Sequence, residues 1–440
     1  MYITVPKKGD LGKAENYRGI TLTSIAAKLY NLMLLNRIQP WVETILRKNQ
    51  NGFRQGRSAS GQILTIRRIL EGVRDKRLPA VLLFVDFAKA FDSIHREKMR
   101  EILLVYKIPP ETVEAIMMLY RNSTALVRSP DGDTESFEVK AGVLQGDTLA
   151  PYIFIICLDY VLRTAIDPLN EHGLTLKARI SKRFPATKIT DADYADDLAL
   201  FSDTINGATL LLHALEKAAS SVGLYINAKK TEYMSENCEG QILTESGYTL
   251  KQVDQFSYLG SNIASSSKDV EIRIGKAWAA LKRLSLIWKS NISNELKKSF
   301  FRTTVESVLL YGSSTWTLTK KLENILNGTY TKMLRFVLNV SWREHLPNTQ
   351  LYGNLRKITE VIKERRIRFV GHSFRKKAEL VSDMILWKPK HGIRRPGRPT
   401  KSFIDQLVAD TGHENQELRR AMLNRDGWKG LVKRIRASST

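Results

Sequence analysis

Apolar residues recur at helical spacing through Lys28–Leu46, where Leu29, Leu32, Leu35 and Ile38 mark one face, and again through Ser60–Val73. Between them lies a Gly/Arg/Ser loop, Asn51–Gly61. The pattern changes after Pro79, where six apolar residues, Ala80–Val85, predict a buried strand ended by Asp86. A polar turn with Asp92 and Ser93 is expected to cap a helix over His95–Tyr106, and Glu111–Tyr120 predicts another. Leu126–Val139 reads as a hairpin around Asp131-Gly132. A Gly-flanked loop, Gly142–Asp147, then opens a long apolar helix, Ala150–Ala165. Two apolar runs, Ile189–Tyr194 and Leu198–Phe201, form a tight hairpin whose tip carries Asp196 and Asp197. Thr204–Val222 predicts a helix stopped by Gly223, and Leu224–Met234 and Phe256–Leu259 predict strands. From Lys268 onward the period is helical: Val270–Trp288, Ser293–Leu310 and Lys321–Leu338. Lys388–Pro399, rich in Pro, Gly and Arg, shows no period. The fold class is therefore α+β: a helical start, a mixed β/α centre, a helical exit and a basic tail.

Composition narrows the classes of partner. The chain has 440 residues, 69 Lys and Arg against 45 Asp and Glu, and a formal net charge of +24. That surplus favours a polyanion, with affinity that falls as salt rises. It gathers in Arg47–Arg77 and Arg356–Arg436, while the middle holds the acidic groups. Two cysteines, Cys157 and Cys238, exclude a disulfide scaffold and a Cys-rich zinc finger, and suit a reducing compartment. No run of about 18 uncharged apolar residues is present, so no membrane partner is expected.

The acidic groups of the centre carry the chemistry. Adjacent carboxylates at Asp196 and Asp197 repel, and a hard divalent cation with oxygen ligands removes that penalty. A plain turn would also account for them, and Asp86 alone can be a turn or helix-cap residue. If Asp86 ends a strand next to the hairpin, the three carboxylates can hold two Mg²⁺ ions about 3.5–4 Å apart and clamp an in-line phosphoryl transfer.

Seven blocks in order turn this reading into a family resemblance. They are Asn16–Leu22, Asn51–Ser58, Phe84–Asp92, Gly142–Pro151, Tyr194–Asp197, Gly223–Asn227 with Lys230-Thr231-Glu232, and Phe256–Gly260. Over roughly Pro6–Asn262 the chain resembles the reverse transcriptase of non-LTR (LINE-type) retrotransposons. The resemblance implies a right-hand polymerase: fingers and first blocks at 1–79, a mixed β/α palm at 80–262, a helical thumb at 263–345 and a basic C-terminal extension at 346–440. It implies that Asp86, Asp196 and Asp197 bind two Mg²⁺ ions, with Mn²⁺ as the alternative, and that the Phe87 carbonyl is a further ligand. Phe91 would lie under the incoming sugar and exclude a 2′-hydroxyl, with core packing as its plainer role. Gln145 and Gly146 would line the nascent base pair, and Arg54 and Arg57 would grip the triphosphate. Lys230 would protonate or offset the leaving pyrophosphate.

The resemblance further implies an RNA template, a DNA primer or target, dNTP substrates and nuclear action, with ribonucleoprotein assembly in the cytoplasm. Thr148 and Ala150 depart from the family's usual Pro and Ser, a change expected to tune packing. The blocks begin almost at Met1, so the chain reads as a truncated copy without the endonuclease domain. Leu309–Trp316, Met333–Arg335, Arg365–His372 and Arg394–Pro399 resemble the family's thumb and C-terminal extension, read physically as a helix and an Arg-rich arm on phosphate. His372 has no spaced His or Cys partner and reads as structural. Trp278, Trp288, Tyr311 and Trp316 suit stacking on bases or, at helical spacing, the core. Two other readings stand beside polymerisation of DNA on RNA: a catalytically inactive nucleic-acid-binding remnant, and an RNA-dependent RNA polymerase, which Phe91 argues against. Oligomeric state is not legible in the sequence.

Overall fold

The computed structural model describes residues 2–6, 10, 12–13, 16–129 and 132–437. The chain packs as two compact units, Met1–Ser58 with Leu78–Val253, and Ala59–Arg77 with Asp254–Thr440. The helix Ala59–Lys76, grouped by the sequence reading with the fingers, thus belongs to the C-terminal unit.

The first unit is built on a five-stranded sheet. Its order is Asp191–Tyr194, Asp197–Ser202, Ala80–Val85, Glu232–Glu236, Lys251–Gln252, with only the last pair parallel. Ala80–Val85 is buried at every position, which is why its sequence is continuously apolar rather than alternating. The helices Ala150–Ala165 and Ile205–Ser221 bury their apolar faces in the same core. Thr204 caps the second of these by accepting from the Gly207 N–H. The expected cap from Asp92 or Ser93 does not form: Ser93 Oγ donates to the Ala90 carbonyl, and the helix Arg96–Val105 starts at His95 with no side-chain cap.

A second sheet pairs Tyr2–Pro6 with Tyr17–Thr21 and with Val127–Ser129, which turns back onto Gly132–Asp133. This confirms the expected hairpin, although Asp131 at its tip lies outside the described residues. Leu224–Met234 is not one strand. Only Glu232–Glu236 joins the sheet, because Tyr225 and Asn227 bond instead to the chain that continues past Ala80–Val85.

The second unit is helical, and its described residues include two apolar cores. One surrounds Trp316, Tyr330 and Met333, and the other Ile367, Val370, Phe403 and Trp428. Arg67 and Asp269 form a buried pair at 2.8 Å, and Trp316 Nε1 donates to the same carboxylate at 2.7 Å. Trp288 is buried too and Trp278 packs edge-on against Phe336, so these three tryptophans serve the core. Tyr311 is exposed, with Arg273 over its ring. No helix among the described residues is long and apolar enough to cross a membrane.

Candidate active site

The sheet register brings the three carboxylates to one end of the five-stranded sheet. Leu198 lies opposite Val85, so the next residue in each direction sets Asp197 beside Asp86. Tyr194 pairs with Asp197, leaving Ala195 and Asp196 as a two-residue turn with Ala195 left-handed at φ 57°. Past Asp86 the chain is held on its other flank: its N–H donates to Thr231 Oγ1 at 3.2 Å, and its carbonyl accepts from Asn227 N–H at 2.7 Å.

The electrostatics match a shared anionic site. Burial, then the charges of Asp196 and Asp86, push Asp197 up to about 6, although its outer edge meets solvent. Burial raises Asp86 as well; Lys230 Nζ, 3.9 Å from its Oδ2, pulls it back, and Asp196 adds to the rise. Burial raises Asp196, against the pull of its own backbone N–H and of Arg18. Among the described residues no three His, Cys, Asp or Glu side chains are grouped closely enough to hold a metal ion as they stand. The donor set is hard oxygen on one sheet end, which fits divalent cations of the Mg²⁺ kind.

Lys230 reaches the site because Leu224–Thr231 folds into a turn, with the N–H groups of Lys230 and Thr231 donating to the Asn227 carbonyl. Phe87 is buried and bridges to Ile226. The bridge bonds run through Asp86 O and Ala88 N, so they leave the Phe87 carbonyl outside the ladder. Phe91 is half-buried. Its ring stacks on Phe154 at 4.5 Å and meets Phe53 edge-on at 6.1 Å. Its carbonyl also accepts from Val143 N–H at 2.7 Å, which holds the backbone that carries the ring.

Gln145 and Gly146 abut the strand Tyr17–Thr21: the Gln145 carbonyl accepts from Thr21 N–H at 2.7 Å. Gly146 sits at φ 110°, and a Cβ there would come within 2.7 Å of the Thr21 carbonyl. Buried Asp147 anchors the loop by accepting from Asn31 Nδ2 at 2.6 Å and from Thr148 N–H.

Two expected phosphate ligands are placed otherwise. Arg54 is buried; it pairs with Glu43 at 2.8 Å and donates to the carbonyls of Arg47 and Gln50. Arg57 donates to the carbonyls of Lys48 and Gln50 and to Asn51 Oδ1. Both guanidiniums stitch the loop that follows the helix Ile25–Ile45 together, because a loop with few apolar residues needs side-chain donors for its buried carbonyls. Arg18, exposed on the strand Tyr17–Thr21, lies near enough to Asp196 for its charge to lower that carboxyl.

The structure also shows how the hairpin is held, which the sequence reading missed. Asn51 N–H donates to the Asp193 carbonyl, and Asp193 N–H to the Asn49 carbonyl. Buried Gln50 then spans the turn: its Oε1 accepts from Ala195 N–H at 2.8 Å and from Gly52 N–H at 2.7 Å, and its Nε2 donates to the Ala195 carbonyl at 3.3 Å. Gly52 is required by contact, since a Cβ would come within 2.2 Å of the Ala195 nitrogen. At the base of the hairpin Arg47 pairs with Asp191 at 2.7 Å, with Asp167 at 3.0 Å and with Asp193 at 3.7 Å. Burial pushes Asp191 up, but Arg47 brings it below its ordinary value, while burial and Asp191 hold Asp193 well above. The alternation Asp191, Asp193 on a buried strand was the available sequence signal, since two inward acids need a cation.

A strand ended by one carboxylate, beside a hairpin bearing two, on a helix-backed antiparallel sheet defines a polymerase palm. Residues 5–263, more than half of the chain, match the family model described as reverse transcriptase (RNA-dependent DNA polymerase), and the chain belongs to that family. It is 25% identical over 280 residues to the Pol polyprotein of the type-2 retrotransposable element R2DM of Drosophila melanogaster, covering 60% of this chain and 25% of that protein. It is also 25% identical over 370 residues to the Pol polyprotein of the type-1 element R2 of Popillia japonica, covering 80% of this chain and 49% of that protein. The chain thus spans a quarter to about half of the length of these curated relatives. Among solved structures it is similar to telomerase from Candida tropicalis, at 14% identity and a TM-score of 0.43, over 88% of this chain and 63% of that one.

Proposed function

We propose that this chain is an RNA-directed DNA polymerase that extends a DNA 3′ end with dNTPs on an RNA template and releases pyrophosphate, in retrotransposition. The observation that carries the reading is the convergence of Asp86 and Asp197 in neighbouring strands with Asp196 in the adjoining turn. The family generally uses divalent metal ions; here Asp86, Asp196 and Asp197 would hold two Mg²⁺ ions, which supply Lewis-acid charge to a phosphoryl transfer. The chain's own groups do the positioning. Gln50 and Gly52 fix the turn that carries Asp196. Lys230 offsets charge next to Asp86, where the leaving group's charge develops. Arg18, near Asp196, is set to meet the triphosphate in place of Arg54 and Arg57. The Phe91 ring, locked between Phe154 and Phe53, is a rigid wall against a 2′-hydroxyl.

The four-part division into fingers, palm, thumb and extension, and action in the nucleus, belong to the same proposal. Primer extension on an RNA template with Mg²⁺ and dNTPs tests it. Wild type should synthesise DNA and Asp196→Asn should lose at least a thousandfold. Absence of wild-type synthesis would favour the nucleic-acid-binding remnant.

A further inference from the structure

We infer that the strap Lys388–Lys401 in the C-terminal unit is a duplex-DNA contact that enters the minor groove at A·T-rich sequence. Residues 384–404 contain no Asp or Glu, and carry Lys388, Lys390, Arg394, Arg395, Arg398 and Lys401. The strap has neither helix nor strand, and residues 392–400 are exposed throughout. Among the described residues no carboxylate pairs with Arg394, Arg395 or Arg398.

Exposure here is not slackness, because both ends are fastened to one helix, Ala59–Lys76. Trp387 is buried against Gly72, where a Cβ would come within 2.4 Å of the ring, and its carbonyl accepts from Arg68. At the far end Phe403 is buried and its N–H donates to Glu71 Oε1 at 3.1 Å. A capping box between Ser402 and Asp405 fixes the chain there. Midway, Arg395 N–H donates to the Asp75 carbonyl at 2.9 Å. The strap is a bridge held at three points along one helix, with its basic middle turned to solvent.

The shape selects the partner. Pro396 and Pro399 bracket Gly397-Arg398, where the chain bends as a single run of backbone with neither helix nor strand beside it in sequence. Gly397 sits at φ 94° with nothing within 4 Å of a Cβ position, so the backbone can approach a groove floor. The DNA minor groove is about 6 Å wide and admits such a segment but no helix. It narrows at A-tracts, where its potential draws in arginine. The A-form minor groove of RNA is wide and shallow and would not grip a thin strap. The inference does not rest on the polymerase reading.

The test is fluorescence anisotropy of the full chain on three 20-base-pair duplexes of equal length: A·T-only DNA, G·C-only DNA and RNA. Wild type should bind the A·T duplex at least tenfold more tightly than either of the others, and netropsin, which fills the A·T minor groove, should displace it. The triple variant Arg394→Ala, Arg395→Ala, Arg398→Ala should bring the three affinities together. Gly397→Val keeps every charge and should lose the A·T preference while retaining G·C binding. Equal wild-type affinities, a preference for RNA, binding that survives netropsin, or an equal loss on all three duplexes in the triple variant would each overturn the inference.

Discussion

Gln50 makes the sharpest test of how the hairpin is built. Gln50→Ala deprives the buried N–H groups of Ala195 and Gly52 of their shared acceptor and removes the donor to the Ala195 carbonyl. Each buried donor left unsatisfied costs ~1–3 kcal/mol, so the pair costs ~2–6 kcal/mol. For a unit of this size that lowers Tm by roughly 4–24 °C. The larger consequence is catalytic. Ala195 is held in a left-handed conformation next to Asp196, and a displacement of about 1 Å at reacting groups costs on the order of a hundredfold in rate. Gln50 reaches Asp196 only through the turn. Steady-state extension on an RNA template should therefore show kcat reduced about a hundredfold with KM for dNTP changed less than threefold. The assay is run at a temperature where circular dichroism shows the variant folded. A folded Gln50→Ala with kcat within threefold of wild type would falsify the positioning role.

Four further outcomes follow from the same geometry. Arg47→Ala leaves Asp191 and Asp193 buried without their cation and should cost ~3–5 kcal/mol in denaturant unfolding, whereas a loss under 1 kcal/mol would show the pair to be incidental. Arg18→Ala should raise KM for dNTP at least tenfold, while Arg54→Ala should lower stability with little change in KM once folded; the reverse pattern would restore Arg54 as the phosphate ligand. Phe91→Ala should admit ribonucleotides, read as at least a tenfold fall in the dNTP over NTP ratio of kcat/KM, with ~1 kcal/mol lost from the Phe154 stack. Asp197 is raised to about 6, so the metal-free fold retains its proton until that pH and unfolding releases it; stability falls as pH rises from about 4 through 6. The same proton competes with cations, so the Mg²⁺ concentration for half-maximal extension should rise up to tenfold per unit below pH 6, and a flat titration between pH 5.5 and 7.5 would refute that assignment.

Much of the palm was legible because its signals are local. Six consecutive apolar residues before Asp86 and two apolar runs around Ala195-Asp196 define strands whatever surrounds them, and Ala150–Ala165 was read with its observed bounds. The segments that were misread or left unassigned depend on distant partners. Tyr17–Thr21 is a strand because Tyr2–Pro6 lies beside it, and the sequence around Asn16 shows no alternation that announces this. Leu224–Met234 has strand composition, but its first half turns to meet Asp86–Ala88, and that turn is what delivers Lys230. Ser293–Leu310 was read as one helix; the ladder loosens into a π segment at Arg302–Glu306. In the site, residue type named the carboxylates but not the role of each arginine. Arg54 and Arg57 differ from Arg18 only in where neighbouring carbonyls and acids fall, which spacing along the chain does not record.

The central claim is that Asp86, Asp196 and Asp197 jointly hold divalent cations. Electron paramagnetic resonance of Mn²⁺ titrated into the chain with a template–primer and dNTP, with binding to the nucleic acid alone subtracted, measures this directly. The account predicts two bound ions per chain, with occupancy lost in Asp86→Asn and in Asp197→Asn. Equal Mn²⁺ occupancy in wild type and in both variants would contradict it.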